Sequence, residues 1–180
     1  GGTLASLSNT GSIIGSGMGV VVGASGSLTG LNNQGYISGL NNAGQMGSLV
    51  NNSVVGSISN SGTLTTVANA GSIAGLSNQG SLNSLNNSGT MGGVVQAGGV
   101  MSGLTNSGLI TSSGTAVGVT GGTLVSLSNT GSIIGTGMGL VVGASGSLTG
   151  LNNLGYISGL NNAGALASLN NSGTMGGVVQ

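Results

Sequence analysis

Residues 72–89 have the sequence SIAGLSNQG-SLNSLNNSG, one nine-residue pattern written twice. In each copy aliphatic residues occupy the second and fifth positions, Asn the seventh and Gly the ninth. The pattern stays in register from Thr3 to the end of the chain, over eighteen units. The second position is always aliphatic or Met: Leu4, Ile13, Leu28, Ile37, Met46, Val55, Leu64, Ile73, Leu82, Met91, Met101, Ile110, Leu124, Ile133, Leu148, Ile157, Leu166 and Met175. A fixed period over a whole chain is typical of a solenoid.

The nine-residue unit favours short strands over helices. Nine is not a helical period, and a glycine in every unit would weaken a helix by about 1 kcal/mol each time. The second residue has small or polar neighbours, as an inward-facing strand residue does. The fourth residue, Gly, Ser or Thr, suits a tight bend. The Asn-x-Gly end predicts a wider turn, in which Gly is free to adopt positive φ and Asn can hydrogen-bond to local backbone.

Odd-numbered and even-numbered units, counted from Thr3, differ in a regular way. Three units are clearly long, at residues 12–26, 109–122 and 132–146, and the unit at 90–99 has one extra residue. All four are even units. Every odd unit has Asn at its seventh position, whereas even units have Asn, Gln96, Gln180 or an insertion there. This alternation predicts two units per coil, with odd units on one side.

An internal duplication supports the same coil size. Residues 1–49 match 121–169 at a shift of 120, and 85–96 match 169–180 at a shift of 84. The two shifts differ by 36 residues, or four units, which preserves the phase of a two-unit coil and breaks that of a three-unit coil. We therefore predict one all-β domain over residues 1–180. Its predicted fold is a parallel β-solenoid (β-helix) of nine coils, mostly of 18 residues, with some widened to about 24.

The odd-unit asparagines are predicted to form a structural ladder along one edge of this solenoid. Stacked amides can donate to and accept from identical neighbours about 4.8 Å away. The predicted ladder consists of Asn9, Asn33, Asn51, Asn69, Asn87, Asn106, Asn129, Asn153 and Asn171.

The composition excludes most chemistry from this chain. It contains no Asp, Glu, Lys, Arg, His or Cys, whereas soluble proteins have about 25% charged residues. Acid–base catalysis, hydroxyl activation, zinc or calcium binding and phosphate binding depend on those side chains. We therefore expect no enzyme activity, no cofactor, no metal site and no nucleic-acid binding. No apolar run approaches the roughly 18–20 residues of a membrane helix, so we expect no membrane insertion.

The two ends of the chain fit the repeat in phase. Gly1 and Gly2 match positions eight and nine, and Gln180 matches position seven. Open strand edges recruit further strands unless something blocks them. We expect end-to-end contact through Gly1, Gly2, Val178 and Gln180, either between copies in a homo-oligomeric filament or within a longer tandem array.

The strings SLTGLNNQGYISG, SNTGSIIG and NNSGTMGG resemble the repeats of bacterial autotransporter and haemagglutinin-like adhesins. The longer SGMGVVVGASGSLTG resembles the wider coils of such passengers. The resemblance extends over essentially the whole chain and implies a secreted β-helical fibre at the bacterial cell surface. The chain departs from the family pattern in having no charge. The nine-residue period is also similar to that of calcium-binding β-rolls, but their metal-binding Asp has no counterpart here.

From the repeat and the resemblance we expect a structural or adhesive extracellular fibre segment, with copies of itself and cell-surface glycans as partners. Two alternatives stay open. An ice-binding solenoid would use Thr arrays such as Thr63 and Thr65, although Gln45, Val100 and Ala165 interrupt that column. A carbohydrate-binding module would use aromatic residues, of which the chain has only Tyr36 and Tyr156.

Overall fold

The computed structural model describes residues 1–180, which form strands and turns and no helix. The odd units form β1 (Thr3–Asn9), β4 (Ser27–Asn33), β6 (Gln45–Asn51), β8 (Thr63–Asn69), β10 (Ser81–Asn87), β13 (Val100–Asn106) and β20 (Ala165–Asn171). The even units form β2 (Ser12–Ile13), β3 (Val20–Val22), β5 (Tyr36–Asn42), β7 (Val54–Asn60), β9 (Ser72–Asn78), β11 (Thr90–Met91), β12 (Val94–Gln96), β14 (Leu109–Ser112), β16 (Ser132–Gly135), β18 (Tyr156–Ile157), β19 (Leu160–Asn162), β21 (Thr174–Met175) and β22 (Val178–Val179). Two long strands, β15 (Thr115–Asn129) and β17 (Met138–Asn153), pass from an even unit into the following odd unit.

All pairing in the sheet is parallel, and each odd strand pairs with the odd strand of the next coil. Thr63 of β8 pairs with Ser81 of β10, for example, and Asn69 pairs with Asn87, 18 residues further along the chain. Eight such pairings join nine odd strands from β1 to β20. The prediction of a parallel β-solenoid with two units per coil is confirmed.

In the regular units the backbone ladder is interrupted at the third residue, next to the position of the predicted bend. In the pairing of β6 with β8, Met46 pairs with Leu64 and Ser48 with Thr66, while Thr65 between them has no partner in the ladder. As a result, residues two, five and seven of a regular unit all face inward. The aliphatic residues at positions two and five form most of one continuous core of 33 buried apolar side chains along the rod.

The long units all widen the even side, as predicted. In residues 12–26 the even strand is divided into β2 and β3, and in 109–122 and 132–146 it is likewise interrupted. The odd strands opposite keep the same six paired positions, including those within β15 and β17. Insertions are tolerated on the even side because the odd ladder continues past them unbroken.

The prediction that the ninth-position glycines adopt positive φ is wrong for most units. Only Gly99 and Gly122 have positive φ, at 57° and 67°. Both close units of irregular length, so the left-handed conformation belongs to the altered turns rather than to the regular repeat.

Close contact between coils explains the other ninth-position glycines. A Cβ built on Gly71 would lie 2.1 Å from the carbonyl oxygen of Ser53 in the preceding coil. Ser53 is the one non-glycine residue at this position, and its neighbour Val54 donates its N–H to Gly35 O at 3.2 Å. The equivalent N–H of Ser72 donates at 2.7 Å. The equivalent N–H groups that follow a glycine donate at 2.7–3.1 Å, so the contact after Ser53 is the longest of the set.

Gly71→Ala is expected to lower the free energy of unfolding by about 1–3 kcal/mol, because the new methyl group overpacks the coil boundary. Gly11 is the matched control: it occupies the same position of the first coil, and its Cβ would meet nothing within 4 Å. Gly11→Ala should leave the stability of the dilute chain unchanged or slightly raised. Urea unfolding followed by circular dichroism measures both, and equal losses would contradict the contact explanation.

Candidate interface at the amide ladders and the end coils

The nine predicted odd-unit asparagines lie in a single column of hydrogen-bonded side chains. In every step the Nδ2 of one Asn donates to the Oδ1 of the Asn in the next coil, at 2.7–2.8 Å. The column runs from Asn9 to Asn171 without a gap, including the steps over widened coils of 23 and 24 residues. All eight bonds point in the same direction along the rod.

Every amide of the column except that of Asn171 also joins the odd strand to an even strand. The Nδ2 of Asn69 donates to Thr90 O at 3.0 Å and to Gly71 O at 3.3 Å, in addition to Asn87 Oδ1. Its Oδ1 accepts from Asn51. The side chain is buried and inward-facing, so the predicted edge ladder is an internal one, with its donors and acceptors fully used.

A second, shorter amide column lies on the even side and was missed by sequence reasoning. Asn42 donates to Asn60 at 2.7 Å, Asn60 to Asn78 at 2.6 Å, and Asn78 to Oε1 of Gln96 at 2.8 Å. These four residues are spaced by 18, and that spacing was the available signal. Gln96 ends the column: its Nε2 donates to Gly98 O in the same turn, and the next coil has Val119 in the equivalent place.

Valines of the widened coils interrupt this even column. Val22 pairs with Asn42, Val119 with Gln96, and Val142 with Asn162. A valine cannot donate to the amide oxygen of the next coil. The two asparagines that follow a valine, Asn42 and Asn162, accordingly have buried Oδ1 atoms with no hydrogen-bond donor.

These interruptions give a matched pair of substitutions. Val22→Asn supplies a donor to Asn42, and its own Oδ1 faces the open end of the first coil. Val142→Asn supplies a donor to Asn162, but its Oδ1 is buried against Val119. We expect Val142→Asn to be less stable than Val22→Asn by about 1–3 kcal/mol, the cost of one buried unsatisfied acceptor. Urea unfolding of the dilute proteins measures the difference, and equal stability would show that the orphaned oxygen costs nothing.

The first coil exposes residues that are buried in its internal duplicate. Leu4 is 50% exposed, whereas Leu124, the matching residue in the duplication, is 1% exposed. A cavity of about 380 Å³ opens at this end, lined by Gly1, Gly2, Leu7 and Val22 among others. In the internal duplicate the preceding coil covers the equivalent face.

The last coil likewise exposes residues that are buried in their internal duplicate. Val178 is 57% exposed, whereas Val94 at the same place in the repeated LNNSGTMGGVVQ is 1% exposed. The Nδ2 of Asn171 donates only to Gly173 O, at 3.3 Å. At the opposite end Asn9 Oδ1 accepts only from the N–H of Gly11. Of the predicted contact residues, Gly1 and Gly2 lie at one end and Val178 and Gln180 at the other.

The lateral surface exposes aliphatic side chains of several internal coils, among them Val50, Val54, Val100 and Val125. Tyr36 and Tyr156 are partly exposed at the starts of β5 and β18, six coil steps apart on the even side. No helix in the chain is long and apolar enough to span a membrane. The absence of enzyme activity remains a prediction from composition.

Comparison with protein-family models, with curated protein sequences and with solved structures found no match for this chain.

Proposed function

We propose that this chain is a structural segment of an extracellular fibre, in which stacked coils carry the length and stiffness of a rod. The observation that supports this most strongly is the odd amide column, which crosses all eight coil boundaries with bonds of 2.7–2.8 Å. Hydrogen bonds inside such columns reinforce the backbone ladder at each step. The insertions lie on the even side, where they do not interrupt this column.

The location and any adhesive role rest on the sequence motifs. The NNSGTMGG and SLTGLNNQGYISG strings resemble the repeats of bacterial autotransporter and haemagglutinin-like adhesins. On the basis of that resemblance, we propose that the rod is located at a bacterial cell surface and holds adhesive segments away from it. Stability in a stacked repeat protein comes from neighbouring coils, so such a rod can be lengthened by adding coils.

Neither alternative gains a specific supporting observation. The outward first and third positions of the odd strands carry Thr63 and Thr65 in one coil, but Gln45 and Gly47 in the coil before it. No regular threonine array forms for ice to match. The two tyrosines are too far apart along the rod to form one sugar-binding platform.

Deletion of whole coils tests the proposed function. Removing residues 45–80, four units, joins Gly44 to Ser81 in phase and should give a folded rod shorter by two coils, or about 10 Å at 4.8 Å per coil. Removing residues 45–71, three units, is the control; it places even units on the odd side and should disrupt folding. Circular dichroism and small-angle scattering measure both.

If the in-phase deletion unfolds the protein, or both deletions are tolerated equally, the modular rod is wrong. A glycan array supplies the independent check on the alternative. Saturable binding of one glycan class, with a raised melting temperature, would favour the carbohydrate-binding function over the structural one.

A further inference from the structure

We propose that Met138 is a site of reversible oxidation by peroxide, and that its thioether holds the turn at residues 135–139 against the next coil. We call this contact the Met138 latch. The inference goes beyond the proposed structural function, because it assigns covalent chemistry to one side chain of a widened coil.

The methionines of the internal coils differ in their exposure to solvent. Met46, Met91 and Met101 occupy second positions of their units and lie in the core, no more than 2% exposed. Met138 belongs instead to the insertion of the widened unit 132–146, in the sequence GTGMG, and is only partly buried. A dissolved oxidant reaches an exposed thioether before a buried one. Among these four residues, Met138 is therefore the one that peroxide oxidises first.

The thioether of Met138 lies against a glycine of the following coil. A Cβ built on Gly159 would lie 3.0 Å from Met138 Sδ, so the sulfur fills the space that a side chain at that position would need. The internal duplicate repeats this contact, since a Cβ built on Gly39 would lie 2.6 Å from Met18 Sδ. The contact therefore accompanies the GxGMG insertion in both halves of the duplication.

Two contacts hold the turn on the next coil. At its start the N–H of Gly135 donates to Ser158 Oγ at 3.0 Å, and the hydroxyl of Ser158 donates to Gly135 O at 3.1 Å. At its end the Met138 thioether covers Gly159. Only the second contact depends on a group that can be oxidised.

The oxidation consumes one hydrogen peroxide per methionine. A lone pair of Met138 Sδ attacks one peroxide oxygen, and the O–O bond breaks as the S–O bond forms. The proton of the transferred hydroxyl passes to the departing hydroxide, which leaves as water. The thioether is oxidised by two electrons to the sulfoxide, and peroxide is reduced. A thiol-dependent sulfoxide reductase reverses the change, as two thiols become a disulfide and the oxygen leaves as water.

Oxidation opens the Met138 latch because it replaces an apolar contact by a polar group. A sulfoxide is polar, and a polar group loses free energy of hydration when it is covered without a hydrogen-bond donor. The oxidised side chain therefore leaves Gly159 for water. The turn remains attached to the preceding coil, where the N–H groups of Thr136 and Gly137 donate to Ser112 O and Gly114 O at 3.2 and 3.0 Å.

Limited oxidation of the 180-residue chain by hydrogen peroxide tests the site. Peptide mass spectrometry after thermolysin digestion measures the rate at each methionine, since the chain has no Lys or Arg for trypsin. We expect the sulfoxide to form at Met138 at least about tenfold faster than at Met46, Met91 and Met101, which are protected until their coils open. Equal rates at all four residues would overturn the proposed site.

Gly159→Ala tests the contact between the sulfur and the glycine. The new methyl group meets the end of a flexible side chain, so it should displace Met138 Sδ toward solvent and raise the oxidation rate at Met138 severalfold. Gly39→Ala is the matched control, because its methyl group meets Met18 Sδ instead and should leave the rate at Met138 unchanged. An unchanged rate in Gly159→Ala, or the same increase in both variants, would show that the contact does not protect the sulfur.

Amide hydrogen exchange tests the opening of the turn. After oxidation, residues 135–140 should exchange severalfold faster than in the untreated chain, while residues 63–69 stay unchanged. Met138→Leu keeps an apolar side chain of similar volume and cannot form a sulfoxide, so the same treatment should not accelerate exchange at 135–140. Unchanged exchange in the fully oxidised parent chain would overturn the Met138 latch, and so would an equal acceleration in Met138→Leu.

Discussion

Replacing Asn69 with Asp is expected to lower the free energy of unfolding by about 3–5 kcal/mol at neutral pH, the range for an uncompensated buried charge. The Asn69 amide is buried and donates to Asn87 Oδ1 and to Thr90 O. A carboxylate has no proton to donate, so both acceptors lose their partner and face a negative oxygen. Nothing in the chain can neutralise that charge, since it has no Lys, Arg or His.

The stability loss in the Asn69→Asp variant should depend on pH in a defined direction. Burial without a cation raises the pKa of the introduced carboxyl in the folded state above the unfolded value of about 3.9. Below that value both states are protonated, and only the poorer hydrogen bonding is lost. As the pH rises above it, the unfolded state ionises first, and the destabilisation grows by about 1.4 kcal/mol per pH unit until the folded pKa is passed.

Chemical unfolding of the Asn69→Asp variant at about pH 3 and pH 7 measures this difference. Thr65→Ser is the control, because Thr65 faces outward and the change should stay within about 0.5 kcal/mol. Equal melting temperatures of the two variants at pH 7 would show that the asparagine column is solvated rather than stacked.

Leu64→Ala should lower the free energy of unfolding by about 2–5 kcal/mol, the usual cost of a large cavity in a packed core. Leu64 has no exposed surface and lies between Met46 and Leu82 of the neighbouring coils. Those neighbours are fixed by their own backbone ladders, so the coils cannot collapse into the space.

The matched control for this substitution is Leu4→Ala. Leu4 occupies the same position in the repeat, but half of it is exposed and no coil covers it. Its loss should therefore be below about 1 kcal/mol, since little apolar surface leaves water there on folding. Calorimetry of both variants at low concentration compares them. Similar losses would indicate that the core is not continuous along the rod.

The coil was predictable from the sequence because stacking makes distant residues equivalent. A residue and its partner one coil later see the same surroundings, so the aliphatic positions, the odd-unit asparagines and the even-side insertions all repeat with the coil. The parity of the insertions at 12–26, 109–122 and 132–146 decided between two and three units per coil. Periodicity of this kind survives sequence divergence because each coil must match its neighbours.

The second amide column and the role of the glycines were not predictable in the same way. The even column at Asn42, Asn60 and Asn78 ends in Gln96 and is interrupted by valines. A search for the same residue type at the seventh position of every even unit therefore does not find it. Glycine at position nine satisfies either a left-handed turn or a close coil contact, and the sequence is the same in both cases. The φ angles, and the 2.1 Å approach of a Cβ built on Gly71 to Ser53 O, distinguish the two cases.

The periodic positions of the sequence predict the fold more directly than they predict the function. A solenoid supports many unrelated functions, so the proposed extracellular location and adhesive role are inferred from the sequence motifs rather than from the fold. The proposed rod itself depends on the two-unit coil, because a different coil size would move every asparagine out of its column.

The distance between spin labels at Thr29 and Thr149 tests that coil most directly. Both residues are exposed at the third position of odd strands, in β4 and β17, which are six coil steps apart. At about 4.8 Å per step, electron–electron double resonance on the Thr29→Cys and Thr149→Cys double variant should give about 29 Å. A three-unit coil would place the same residues four steps, or about 19 Å, apart, and that result would contradict the account.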